Sequence, residues 1–239
     1  VYAATALVAL TVLGLLLQQR EHLQTEPPPR RAVGAPDAHP LDFLRLPSIW
    51  LCFSFFFFTT AALSAIQSFA SPALQAMFGL PATITAFVVT GYMLCGAVGM
   101  FVGGFVATRA VHSDRVVAVS MTAGAILLAL CGTGLLGATP TMVVLALTGF
   151  AVGIGGPSRD MMIKKATPKG ATGRVYGLVY SGLDTGFAIS PMVFGVFMDR
   201  GWYGATLLGA ALVLLLSVGA ALGVGLRTVQ AQSHAPKLA

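Results

Sequence analysis

Charge is the property this chain has least of. Only 9% of its 239 residues are charged, where soluble domains carry about 25%, and that deficit excludes a globular surface turned to water. The three cysteines, Cys52, Cys95 and Cys131, all fall inside apolar runs, which argues against a disulfide framework or a thiolate metal site. All four histidines lie between or beyond those runs, so no apolar segment offers a histidine with a second ligand or base. No motif for covalent catalysis or phosphate binding is present, and neither a cofactor nor a metal is expected. An initiator methionine and a basic leader are also missing at Val1, inside an apolar run, and the chain reads as a fragment.

What is present is oil. Apolar residues make up 56% of the chain, and they are gathered into segments of the length that a spanning helix requires. Residues 1–17 are apolar and a little short, as the last part of a truncated helix would be. Residues 18–46 hold Pro27, Pro28, Pro29, Pro36 and Pro40 and read as an extended, cytoplasmic linker. A bundle of six spans is expected over 47–227: Ser48 to Ala70, Ala82 to Ala107, Val116 to Gly137, Thr141 to Ser158, Val175 to Met198, and Tyr203 to Leu226. A short cytoplasmic tail, 228–239, follows.

The basic residues test this map. Counting alternate loops, one side receives thirteen of the fourteen Lys and Arg residues, and the other receives Arg200 alone. Cytoplasmic loops hold such an excess, so the linker and carboxyl tail are placed in the cytoplasm. The net charge of +6 then reports membrane topology, and no nucleic-acid partner is expected. Gly91 and Gly182, Gly104 and Gly195, and Arg109 and Arg200 are each 91 residues apart, with three spans between the members of each pair. An odd number of crossings reverses direction, so the six spans read as two inverted three-helix repeats.

Between Arg174 and Arg200 lie 25 residues with one formal charge near their middle before Asp199, Asp184. On a helix, Gly177, Ser181, Asp184, Ala188, Pro191 and Gly195 follow at spacings of four, three, four, three and four and share a face. Gly182, Gly186 and Ser190 form a small-residue row on the opposite side, suited to close packing. An acid at that depth is a functional-site candidate, because it faces a bundle interior or a watery cavity. Asp184 can therefore carry a proton or other cation, or it can lock the bundle by bonding Ser181, Tyr180 or a group on another segment.

Thr60, Ser64, Gln67 and Ser71 line one face of the span that opens at Ser48. They can contact a substrate or bond other helices. Gly91, Gly96, Gly99, Gly103 and Gly104 permit close contact in the next span, and Pro157 loosens or ends the span that begins at Thr141. The spans starting at Val116 and Tyr203 carry few polar groups and read as outer, lipid-facing supports. Arg159 is placed at the cytoplasmic boundary.

These features resemble the carboxyl-terminal half of a major facilitator superfamily transporter: one last helix of the amino-terminal half, a linker, and six helices. Gly104 to Arg109 stands where the family places Gly-x-x-x-Asp-Arg, with Thr108 in place of the aspartate, and Gly195 to Arg200 repeats the pattern with Asp199 intact. Gly177, Gly186, Ser190, Pro191 and Gly195 resemble the family's antiporter signature. The resemblance implies an all-α membrane fold, part of a twelve-helix carrier whose amino-terminal half would be this chain's partner. It implies transport of a small molecule across the plasma membrane by alternating access, with proton-coupled export. Asp184 would be the coupling group, and Gln67, Ser64, Thr60, Ser181 and Tyr180 would face the substrate. The rival classes are a receptor that keeps the fold without transport and an intramembrane enzyme, for which no second carboxylate or histidine lies within the spans.

Overall fold

The computed structural model describes residues 10–15, 17–18, 44, 46–110, 112–167 and 172–233. The chain divides into a unit ending at His39 and a unit beginning at Pro40. In the first, residues 10–15 and 17–18 are helical, and Leu10, Leu13 and Leu17 are exposed. Most of the linker expected at 18–46, and the tail beyond Ser233, lie outside the described residues.

The second unit contains six helices: α1 (Pro47–Phe78), α2 (Ala82–Arg109), α3 (Ser113–Gly132), α4 (Ala138–Ala166), α5 (Thr172–Asp199) and α6 (Tyr203–Ser233). All six are long and apolar enough to cross a membrane. Pro47 opens α1, where its missing N–H costs nothing. The helix does not stop at Ala70 but runs through Pro72 to Phe78, because the added turns bury Ala73 and Leu74. Gly79, at φ 66°, then closes it and donates its N–H to the Gln75 carbonyl. Likewise α4 continues through Pro157 to Ala166, so this proline lies inside the helix and does not end it. By contrast α3 ends at Gly132, earlier than its apolar run, because Gly134 and Gly137 take positive φ in the turn that follows.

Packing follows a symmetric scheme. α1 packs on α5 and α6, α4 packs on α2 and α3, and α3 packs on α6, while α1 meets α2 over a smaller area. Exchanging α1 with α4, α2 with α5 and α3 with α6 maps the principal pairings onto one another. The corresponding helices open at Pro47 and Ala138, Ala82 and Thr172, and Ser113 and Tyr203, which are 91, 90 and 90 positions apart. The spacing of 91 in the glycine and arginine pairs thus recurs in the helix boundaries.

α3 and α6 are not merely peripheral. Each has an exposed apolar stripe, with Val119 and Ile126 on one and Leu212 and Leu216 on the other, but each also has a well-buried face. Of their hydroxyls, Ser120 and Ser217 are buried and bond carbonyls of their own helices, and the buried Thr206 bonds that of Trp202 just before α6, so burying these three leaves none of them unpaired. The least buried helices among the described residues are α2 and α5. On α2, Phe87, Leu94, Phe101 and Phe105 stand exposed, and on α5 so do Met192, Val193 and Val196.

Candidate functional site

A cavity of about 370 Å³ lies chiefly between α1, α2 and α4. Small residues of α4 and α2 make room for it: Gly149, Gly153 and Gly156 on one wall and Gly96 and Ala97 on the other. These helices can approach so closely because glycines meet backbone. A Cβ added to Gly99 or Gly103 of α2 would collide with the carbonyls of Phe150 and Ile154, and one added to Gly149 or Gly153 of α4 with those of Tyr92 and Gly96. Met93, Met100 and Met121 supply most of the flexible apolar lining, and Thr59, Thr60, Tyr92 and Arg159 are its polar members.

Arg159 stands at the end of the cavity near the amino terminus of α1. Its guanidinium carbon lies 4.9 Å from the centroid of the Phe56 ring, which is itself only 1% exposed. Its Nε is 3.1 Å from Oδ1 of Asp160, a side chain turned outward and half exposed. Tyr180 of α5 also packs against Phe56, 5.4 Å between centroids, and Tyr176 lies 5.8 Å from Tyr180. The charge tally had assigned Arg159 only to the membrane boundary. A sharper signal was available, since Gly149, Gly153, Gly156 and Arg159 follow at spacings of four, three and three and so share a helical face.

α5 has two unlike faces, as its pattern predicts. A Cβ on Gly182 or Gly186 would fall 2.7 Å from the carbonyl oxygen of Phe53 or Phe57 on α1. One turn on, the Ser190 hydroxyl donates to the Ala61 carbonyl at 2.7 Å. On the opposite side Gly177, Asp184, Ala188 and Pro191 are exposed, and Ser181 and Gly195 partly so. Asp184 makes no hydrogen bond or ion pair with any described residue. The Ser181 hydroxyl instead donates to the Leu178 carbonyl, and Thr185 donates to that of Ser181. Its neighbour Leu183 reaches the cavity, while Asp184 points away from the packed face.

The α1 hydroxyl row is divided by the fold. Thr60 lines the cavity, and Ser64 is buried beside it. Gln67 and Ser71 lie beyond the cavity and reach α2: the Gln67 amide is 4.0 Å from the Met93 sulfur, and Ser71 donates to the Thr85 hydroxyl at 2.9 Å. Gln75 adds a bond to Ser71 at 3.2 Å. This ladder joins α1 to α2 where their contact is otherwise sparse.

The loop motifs sit at helix ends. Thr108 caps back onto the Phe105 carbonyl and makes no ionic contact, Arg109 is exposed, and Gly104 has open space around it. Asp114, near in sequence, is pressed against Gly225 of α6. At the other end Asp199 and Arg200 are exposed, and the Arg200 guanidinium lies 5.4 Å above the Trp202 ring. Among the described residues no three His, Cys, Asp or Glu side chains come together as a metal site would require.

Residues 56–237 match the family model of the Major Facilitator Superfamily. A search among curated proteins returned no match. That family match spans α1 to α6 almost in full, over helices whose principal pairings repeat between the first three and the last three, and the chain belongs to the Major Facilitator Superfamily of multi-pass membrane transporters.

Proposed function

We propose that this chain serves a secondary active transporter that exports a small molecule across the plasma membrane by alternating access, driven by protons. The chain supplies one of two six-helix bundles together with the last helix of the other. Its linker and carboxyl terminus lie in the cytoplasm. The cavity between α1, α2 and α4 holds the substrate, with Thr60 on its wall, while Ser64 is buried one turn along α1 and Tyr180 packs on Phe56 behind Arg159. Gln67 belongs to the α1–α2 ladder and acts on the cavity through that joint.

The observation that carries this reading is the position of Asp184. It stands near the middle of a spanning helix, on the face not used for packing, and no described group bonds it. A carboxyl group kept at such a depth without a structural partner is accounted for by a role in moving cations. Its counterpart is a group on the facing bundle or a water-filled path, from which it takes and releases a proton as the two bundles rock. Gly177, Gly186, Pro191 and Gly195 let α5 pack on one side and slide on the other.

The test uses the full-length protein in proteoliposomes that enclose a pH-sensitive dye and are challenged with a panel of amphipathic solutes. Solute-driven proton movement is expected with the native protein and not with Asp184→Asn, while solute exchange at equal pH persists in the mutant. Proton movement of native size in that mutant would remove Asp184 from the mechanism.

A further inference from the structure

We infer that the cavity between α1, α2 and α4 selects amphipathic organic anions, and that Arg159 binds their carboxylate or other oxyanion head. This rests on the transport reading for its physiological meaning, but the binding itself does not.

Four features of the site converge on that ligand class. First, a guanidinium carries five N–H donors in a planar fork. Asp160 engages Nε, and the two terminal nitrogens meet no hydrogen-bond partner among the described residues. That leaves an edge which matches two oxygens of one oxyanion. Second, the fork is held in place. Its guanidinium carbon lies over Phe56, a fully buried ring against which Tyr180 packs from α5. A preset guanidinium loses less freedom on binding than one swinging in solvent.

Third, Arg159 is three-quarters buried, its side chain 24% exposed, beside an apolar hollow. Its terminal nitrogens still reach solvent, but beside apolar walls their charge is screened less than in open water, so an anionic head is attracted where a neutral one is not and a cationic one is repelled. Fourth, the remaining wall recognises hydrocarbon without imposing a shape. Met93, Met100 and Met121 are unbranched and adaptable, and the cavity's volume is at the small end of the range for organic ligands. The fitting solute therefore pairs one anionic head with a modest aliphatic or aromatic body.

The decisive comparison uses three solutes with one body and different heads: 4-phenylbutyrate, 4-phenylbutanol and 4-phenylbutylamine. Their binding to the purified full-length protein is measured by equilibrium dialysis. The native protein is expected to hold the carboxylate about ten-fold more tightly than the alcohol, as a charge-assisted pair of hydrogen bonds would give, and the amine most weakly. Arg159→Gln should bring the carboxylate down to the level of the alcohol and leave the alcohol unchanged. Arg159→Lys and Phe56→Leu should each reduce the preference only in part, the first by losing the fork and the second by losing its support. These two variants decide the matter if Arg159→Gln does not purify as a folded protein.

A native protein that binds none of the three, ranks them equally or favours the amine overturns the inference, as does a carboxylate preference that survives in Arg159→Gln. The transport reading is judged separately. Charge-selective binding without flux of phenylbutyrate in proteoliposomes removes transport and leaves the anion site standing. Proton-driven flux of another solute with no preference for the carboxylate removes the anion site and leaves transport standing.

Discussion

On α5, Gly182 and Gly186 lie against the carbonyls of Phe53 and Phe57, whereas Gly177, one turn earlier, has nothing within 4 Å of where a Cβ would be. The same contrast divides α2, where Gly99 and Gly103 are pressed against α4 and the adjacent Gly104 is open. Small residues in a membrane helix therefore serve two purposes that look alike in sequence: some let backbones touch, and others leave a face empty. In α5 the empty face is the one that carries Asp184.

The contrast is most easily broken by bulk. Gly103→Leu should destabilise the bundle by about 3 kcal/mol, the upper part of the overpacking range, because a rigid carbonyl and not a flexible side chain stands in the way. Gly104→Leu should be neutral. Thermal unfolding followed by size-exclusion in detergent distinguishes them, and equal losses would mean that α2 and α4 do not meet as described. Gly186→Val should cost somewhat less, about 2 kcal/mol, with Gly177→Val again unaffected, and cysteine cross-linking between α1 and α5 would report the separation directly.

Two serines sharpen the comparison at a smaller scale. Ser190 bonds across to Ala61, so Ser190→Ala should cost about 0.6 kcal/mol, an average value for such bonds between membrane helices. Ser158 is fully buried with its hydroxyl unpartnered among the described residues, and Ser158→Ala should stabilise by up to about 1 kcal/mol. Parallel denaturation curves for the two alanine variants should shift in opposite directions. Finally, Asp184→Asn should leave stability within about 0.5 kcal/mol of native, as expected for a group without structural partners. A large loss in that curve would show that the acid locks the bundle after all.

Much of this was legible beforehand. The six spans, their alternation and the 91-residue repeat follow from apolar run length, the placement of arginines and lysines, and glycine spacing. The division of α5 into a packed and an open face follows from a period of 3.6. The helix ends were read less well. Pro72 and Pro157 resemble terminators locally, yet burial of the turns beyond Pro72 outweighs one lost hydrogen bond, and the charged end of α4 simply continues as helix. The peripheral role expected of α3 and α6 was also misread, since a hydroxyl that bonds its own helix is no obstacle to burial.

The candidate site was only half visible. Asp184 stood out as a lone charge in a long apolar run, and its isolation from Ser181 required coordinates. Arg159 was hidden among twelve other basic residues on its side, since a tally of loops counts charges without asking where they point. Gln67 and Ser71 shared a face with Thr60, but helical spacing cannot say that α2 covers that face at one end and leaves a hollow at the other.

Hydrophobic length determined by itself that the described residues hold six membrane-length helices in a fixed order, because it depends only on the cost of placing groups in oil or water. Which helices touch, where glycine backbones close on one another and where a cavity with a guanidinium at its end is left between them, was decided by tertiary packing alone. Those outcomes depend on the distances between residues far apart in the chain, which no local pattern contains.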